Sequence, residues 1–386
     1  MRRLSPSLVS LIRLVMKARV IIQTADRRLQ QDEREIPPVS SQTALLEVEA
    51  CGLCGSDVEQ YKGAFTEKGI VTYPLIPGHE PVGRIREIGQ EASRLWQVKE
   101  GDRVAVEPHL SCGLCQTCLD GSYHLCKEVR PTGLPAYGFL PLDYMHGLWG
   151  GYATHIHLMP RTVLHRIPDE MPIELATQYQ SLAAGIRWAV QVPKTALGNS
   201  VLILGPGQRG LGSVIACREA GAGQIIITGR SRDRYKLDMA MALGAHHVIV
   251  VDEEDTVSRV LEITHGRGVD VAIDVAPSAT QPVVDAIGAV RIGGIVVIAG
   301  VKGRKTKVAI DTDLVLFREI RIQGVYSQGR DAYTQALRML SENKYELARL
   351  HTHSFPLAHA DLAVRTLAGE IEGQNAVSVS LHPSLD

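Results

Sequence analysis

The chain has 386 residues, 45% hydrophobic and 22% charged, with a formal net charge of −1. That length sets an expectation of two domains. A balanced charge leaves no broad cationic field to hold nucleic acid or an anionic membrane, and 5% aromatics argues against base-stacking platforms.

No run of about 18 apolar residues occurs, so no transmembrane helix is expected. Cysteines number seven, an odd count with a tight cluster, which fits a reducing compartment and an expected cytoplasmic location.

The first 15 residues, MRRLSPSLVSLIRLV, are basic and free of acid. They read as an N-terminal extension, either a targeting segment or an upstream start, with the domain beginning near Met16. From Met16 to about Leu164, "ALLEVEACG", "VGRIREIG" and "DRVAVEP" alternate apolar and polar residues. Half-buried strands have that pattern, so an antiparallel β domain with long loops is expected here. Within it, Cys112, Cys115, Cys118 and Cys126 are spaced Cys-x2-Cys-x2-Cys-x7-Cys. Four thiolates this close can complete a tetrahedron around one Zn²⁺ and leave no position for substrate, which makes the site structural. An iron–sulfur cluster is the alternative. The ferredoxin run, however, has a shorter last gap and a Pro after its last Cys.

Near Glu174 the character changes. "ELATQYQSLAAGIRWAVQV" has helical spacing. After Gly198 come the apolar runs "SVLILG", "QIIITG", "HHVIVVD", "VDVAIDVA" and "GGIVVIAG", with helix-like stretches between the first three. Apolar strands alternating with helices predict a parallel sheet covered on both faces. The tail from about Asp331 returns to mixed helix and strand. The expected layout is therefore an extension over 1–15, a β-rich unit in two parts, 16–185 and 326–386, and a parallel α/β unit over 186–325 between them.

Gly205-x-Gly207-x-x-Gly210 follows a strand and opens a helix. The first glycine permits a tight turn, the second lets a pyrophosphate approach the backbone, and the third lets helix and strand pack closely. The helix N-terminus offers free N–H groups to the phosphates. The second strand of this unit ends near Gly229 without the carboxylate that would hold an NAD ribose. Instead "GRSRDR" places Arg230, Ser231, Arg232 and Arg234 there. Such a cluster suits a 2′-phosphate and leans towards NADP. A solvated arginine loop, or a ribose contact from Asp233, is the other reading.

Taken in order, "ACGLCGSDVEQYKG", "GHE-x2-G-x5-G" at Gly78–Gly89, "KEGDRV" at Lys99–Val104, the four-cysteine lobe and the glycine motif resemble the zinc-dependent medium-chain dehydrogenase/reductase family, the alcohol dehydrogenase superfamily. The resemblance runs from Met16 to the C-terminus. It implies an α/β fold: a β-rich GroES-like catalytic domain and a Rossmann domain with a doubly wound parallel sheet.

The resemblance also implies two zinc ions per subunit, one structural and one catalytic. The catalytic ion would have Cys54 as thiolate ligand and His79 as imidazole ligand, with Glu80 as an acid able to swing in. Ser56 would relay the alcohol proton, and Asp57 would orient the histidine. The same residues have plainer readings: Ser56-Asp57 as a helix N-cap and Cys54 as a buried thiol.

Two departures stand out. Gln180 occupies the place where the family usually carries a Glu or Cys ligand. Either Glu80 completes the sphere, or the site is weaker, or the register shifts to Glu174. Glu59 stands where many members have a histidine that ends the proton relay; it accepts that proton or simply faces solvent.

The implied activity is that of an NAD(P)-dependent alcohol dehydrogenase acting on a small-molecule alcohol or carbonyl compound, in a homodimer or homotetramer. A catalytically weak or inactive nucleotide-binding member, with a structural or regulatory role, is the alternative. Tyr144, Met145, His146, Leu148 and Trp149 are expected to border the substrate or an interface.

Overall fold

The computed structural model describes residues 16–129, 134–303 and 306–385. The extension over 1–15 lies outside the described residues. The first strands are β1 (Lys17–Ala25), β2 (Arg28–Glu35), β3 (Ala44–Leu53), β4 (Glu80–Ile88), β5 (Arg103–Val106), β6 (His155–Leu158) and β7 (Leu164–Arg166). The parallel unit supplies β8 (Ser200–Leu204), β9 (Gln224–Gly229), β10 (His247–Val250), β11 (Val269–Asp274), β12 (Val290–Ile298) and β13 (Arg321–Gly324). The tail adds β14 (His351–Pro356) and β15 (Ser378–His382).

β1 and β2 form an antiparallel ribbon. The larger β-rich sheet runs β14-β15-β3-β4-β5-β7, with β6 also on β3. The C-terminal strand β15 returns to pair antiparallel with β3, Val379 opposite Leu53, so the tail completes the sheet that the first half begins. β3 is the hinge of the site. Its antiparallel register with β4 sets Gly52 opposite Glu80. That register brings Cys54, just past the end of β3, beside His79, just before the start of β4, although 25 residues separate them.

The second sheet runs β10-β9-β8-β11-β12-β13, all parallel. Every residue of β8, SVLIL, is buried, as strands covered on both faces require. Counted within the unit the order is 3-2-1-4-5-6, the doubly wound arrangement whose crevice opens where the order reverses, beside β8. The two-unit α/β fold expected from the sequence is the fold found.

One apolar cluster runs from Val82 and Ala105 through Tyr179 and Leu182 to Ile203 and Val214, so the two units share a core. The helices Tyr179–Gly185 and Gln208–Glu219 cross inside it at backbone contact. A Cβ on Gly212 would lie 2.4 Å from the Ser181 carbonyl oxygen. The first of these helices continues as a π-helix over Ile186–Gln191. Among the described residues no helix is long and apolar enough to cross a membrane.

Candidate active site

The chain leaves β3 into the helix Gly55–Tyr61, and Cys54 caps it. The Cys54 sulfur accepts from the Ser56 amide at 3.4 Å, and the Asp57 carboxylate accepts from the Cys54 amide at 2.9 Å. This is a capping box built on a thiol. The expected N-cap at Ser56-Asp57 is corrected: Cys54 is the cap, Ser56 lies within the helix, and Asp57 closes the box from its third position.

Asp57 does more than cap. Its Oδ1 accepts from the Tyr152 hydroxyl at 3.2 Å and lies 3.6 Å from His79 Nδ1. The other imidazole nitrogen, Nε2, lies 3.3 Å from Cys54 Sγ and 3.7 Å from Glu80 Oε1. The two nitrogens are therefore divided, one towards Asp57 and one towards a sulfur and a second carboxylate. Burial works to raise the Asp57 carboxyl, but His79 and the Cys54 and Tyr152 donors outweigh it and hold the group below its ordinary value. Glu80 is only 2% exposed, and burial pushes its carboxyl up. Its Oε1 is buried with no hydrogen-bond partner.

Those donors fit a zinc ion. Nitrogen and sulfur ligands of a tetrahedral zinc stand about 3.5 Å apart, and Oε1 is an orphaned carboxyl oxygen beside them. Gln180, 1% exposed, turns its amide nitrogen to the His79 carbonyl at 2.7 Å. Gln180, not Glu174, is the residue brought to this place.

A cavity of about 580 Å³ opens over His79, with Ser56, Phe139, Gln180, Trp188 and Arg209 in its wall. Glu59, half-buried on the same helix as Ser56, is not in that wall. Nor are Tyr144, Met145, His146, Leu148 or Trp149. Leu148 and Trp149 are core residues at 0% and 1% exposure, while Met145 faces outward. Of the two expectations for these residues, a border on the substrate or on an interface, the first does not extend to this cavity: among the described residues their segment supplies Phe139 alone.

The nucleotide unit faces the same cavity. The turn after β8 needs Gly205, whose φ is +119°, and a Cβ on Gly210 would lie 2.0 Å from the Gly205 carbonyl oxygen. Gly207 caps the helix Gln208–Glu219 and is exposed, with open space where a Cβ would stand. This open helix N-terminus is a cradle fit for a pyrophosphate. Gln208 donates to the Leu53 carbonyl at 2.9 Å and so ties the turn to β3. Arg209 reaches Cys54 Sγ at 3.5 Å, and its guanidinium lies over the Trp188 ring, 5.1 Å from the centroid.

Beyond β9, Arg230 is exposed. Ser231 donates through both its amide and its hydroxyl to Asp252, at 3.1 and 2.7 Å. Arg234 is paired with Glu253 at 2.6 Å, and Asp233 with Lys236 at 3.1 Å. The loop's cations are thus partly engaged by acids from the end of β10.

The four-cysteine lobe is compact. Cys112 and Cys118 sulfurs stand 3.9 Å apart, Cys115 and Cys118 3.4 Å, Cys115 and Cys126 3.8 Å. All four lie within 4.8 Å of one another. Sulfurs around a tetrahedral zinc stand about 3.8 Å apart. There is no room among them for the iron and sulfide atoms of a cluster. Hydrogen bonds from the Thr117 hydroxyl and the Cys118 amide lower the Cys115 thiol to about 6, favouring the thiolate a metal needs.

Arg209, Tyr152 and Gln208 are the site residues that sequence reasoning passed over. Arg209 and Gln208 stand inside the glycine motif itself, at positions its pattern leaves free.

A parallel sheet with its glycine turn, set against a buried thiol–imidazole pair, is the layout of a two-domain oxidoreductase. The family description "Alcohol dehydrogenase GroES-like domain" matches residues 40–169, and "Zinc-binding dehydrogenase" matches 210–342. A protein named as an alcohol dehydrogenase in Mycobacterium tuberculosis is 38% identical over 367 residues, covering 95% of this chain and 98% of that one. The sorbitol dehydrogenase of Bacillus subtilis is 32% identical, over 89% of this chain and 90% of the relative. Among solved structures, an alcohol dehydrogenase of Thermotoga maritima gives a TM-score of 0.83 at 25% identity, covering 95% and 99%. A zinc-binding dehydrogenase of Sinorhizobium meliloti, solved bound to NADP, gives 0.81 at 26%, covering 95% and 100%. The chain belongs to the zinc-dependent medium-chain dehydrogenase/reductase family.

Proposed function

We propose that this protein is a zinc-containing, NAD(P)-dependent alcohol dehydrogenase, interconverting an alcohol and its aldehyde or ketone. One observation carries the reading. His79, on the wall of a cavity that faces an open glycine turn, brings its Nε2 together with the Cys54 sulfur and the orphaned Glu80 oxygen buried behind that wall.

Cys54, His79 and Glu80 would hold the catalytic ion. Gln180 stands fourth, its carbonyl oxygen the donor left over once its nitrogen serves His79. Bound there, zinc supplies a Lewis acid that lowers the pKa of the substrate hydroxyl. Ser56, half-buried in the cavity wall, takes up that proton as relay. Glu59 lies one helical turn on, on the same face, and is the proposed end of the relay. Asp57 acts on the chemistry by fixing the His79 ring from its far nitrogen. The nicotinamide supplies the hydride acceptor. Gly205, Gly207 and Gly210 would seat its pyrophosphate, and the walls of the cavity hold the two reacting carbons together and exclude water.

NADP is the favoured cofactor. Arg230, Ser231 and Arg234 surround the place of the ribose 2′-phosphate, with Arg234 exchanging Glu253 for phosphate. Cys112, Cys115, Cys118 and Cys126 hold a second, structural zinc. The protein is proposed to work in the cytoplasm, where its free thiols persist. It is further proposed to form a homodimer or homotetramer. β13 is an exposed sheet edge with Ile322, Leu316 and Phe317 showing apolar surface nearby.

A screen of varied alcohols with NAD and NADP in parallel tests the reading. Zinc-loaded protein should oxidise one class, and a folded Cys54→Ser, His79→Ala protein that oxidises it at the parent rate would sink the idea. The neutral Gln180 favours a second reading, a weak or inactive member. Metal analysis separates the two: about two zinc ions per subunit for the enzyme, about one for the inactive form.

A further inference from the structure

The cavity over His79 carries a local excess of positive charge. Its described lining contains Lys68, Lys127 and Arg209 and no aspartate or glutamate. The chain as a whole is balanced, so the excess is local. The three cations also come from separate elements. Lys68 follows the short helix Ala64–Glu67, Lys127 follows Cys126 of the metal lobe, and Arg209 stands in the first turn of the helix after β8.

Each is placed at the wall rather than merely near it. Lys68 Nζ lies 5.6 Å from the ring centroid of Phe65, which also lines the cavity. Arg209 is held between the Trp188 ring and the Cys54 sulfur. Among the described residues neither Arg209 nor Lys127 forms an ion pair. Asp57 and Glu80 lie close enough to act on Arg209 electrostatically. They are nevertheless buried at 4% and 2% exposure beneath His79 and present no surface to the cavity. A divalent ion at Cys54 and His79 would offset them further. Arg209 and Lys127 bring like charge to one half-enclosed space, and an anion entering it is attracted by both.

We propose that the substrate is itself an anion: an alcohol or carbonyl compound that also bears a carboxylate or phosphate, received by Arg209, Lys68 and Lys127. This rests on the dehydrogenase reading and adds the charge of the substrate to it. Arg209, 3.5 Å from Cys54 Sγ, is placed for a carboxylate beside the reacting carbon. Lys68 and Lys127 are placed for a more distant group, such as a phosphate ester.

The test uses protein loaded with zinc and reduced cofactor, so that alcohols bind without turning over. Calorimetry compares matched pairs that differ in charge: lactate against 1,2-propanediol, and glycerol 3-phosphate against glycerol. At least one anion should bind about tenfold more tightly than its neutral partner, as charge-assisted hydrogen bonds allow. The advantage should shrink as salt rises from about 50 to about 500 mM. Arg209→Gln should erase a lactate preference, and Lys68→Gln with Lys127→Gln a glycerol phosphate preference. Neutral members binding as well as the anions in both pairs would overturn the proposal. If neutral alcohols are turned over with no anion preference, the dehydrogenase reading stands and this one falls. If anions bind preferentially yet no alcohol is oxidised, the reverse holds.

Discussion

The side-chain amide of Gln180 donates to the backbone carbonyl of His79 at 2.7 Å, joining the helix Tyr179–Gly185 to the residue just before β4. Both groups are buried, so the bond fixes where the imidazole stands. Gln180→Ala removes it and should weaken retention of the catalytic zinc about tenfold, as loss of groups that support a ligand does. Gln180→Glu cannot donate to the carbonyl but offers an anion to the metal, so it should restore or exceed the parent affinity. Competition with a chromophoric chelator measures both.

Asp57 serves two structures with one carboxylate. It closes the capping box on Cys54 and faces His79 Nδ1. Asp57→Asn should therefore cost about 1 kcal/mol in urea unfolding, the usual value of a lost cap. Zinc affinity should fall about tenfold or more in the same protein. Tyr152→Phe removes only one donor to Asp57 and should show a smaller loss of each.

Arg234 is held by Glu253, and Ser231 by Asp252. With NADP as cofactor, Arg230→Gln plus Arg234→Gln should raise the KM for NADP about tenfold, the worth of a charge-assisted contact, and leave that for NAD nearly unchanged. Equal effects on the two cofactors would count against the 2′-phosphate reading. Steady-state kinetics with each cofactor decides.

His157 stacks edge-on against His146 at 4.4 Å, and burial pushes its imidazole down from 6.5 to about 4. The folded pKa lies below the unfolded one, so between those values the unfolded chain binds more protons. Stability is then full above about pH 6.5 and falls as pH drops towards 4, with His157 contributing about 1 kcal/mol of loss per pH unit. His157→Phe should flatten the fall measured by urea unfolding at pH 6.5 and 5.5.

Cys115→Ser removes a thiolate held low by Thr117 and the Cys118 amide. One zinc per subunit should be lost while the other remains, and thermal melting should drop by several degrees, as expected for loss of a structural metal. Metal analysis and calorimetry read the two effects.

What could be read from the sequence followed from how local each feature is. Cys112 to Cys126 lie close along the chain, so their spacing alone describes the lobe. The glycine turn at Gly205 is equally local. Cys54 and His79 were found through resemblance, and only the β3–β4 register shows why they meet. Arg209 was illegible because its partner Cys54 is 155 residues away. Leu148 and Trp149 were misjudged for a related reason: an apolar run looks the same whether it packs inward or lines a cavity. The acids that engage Ser231 and Arg234 come from the next strand's end, out of reach of any pattern around β9.

Lys127 is bonded directly to Cys126, with no slack between a sulfur of the proposed structural zinc site and a side chain in the cavity wall. A protein starved of that ion would keep its nucleotide fold, since β8 to β13 lie elsewhere. Its doorway, however, would lose a fixed jamb. On the proposed reading, metal supply would then influence which molecules are admitted, separately from whether the reaction can occur once they are inside.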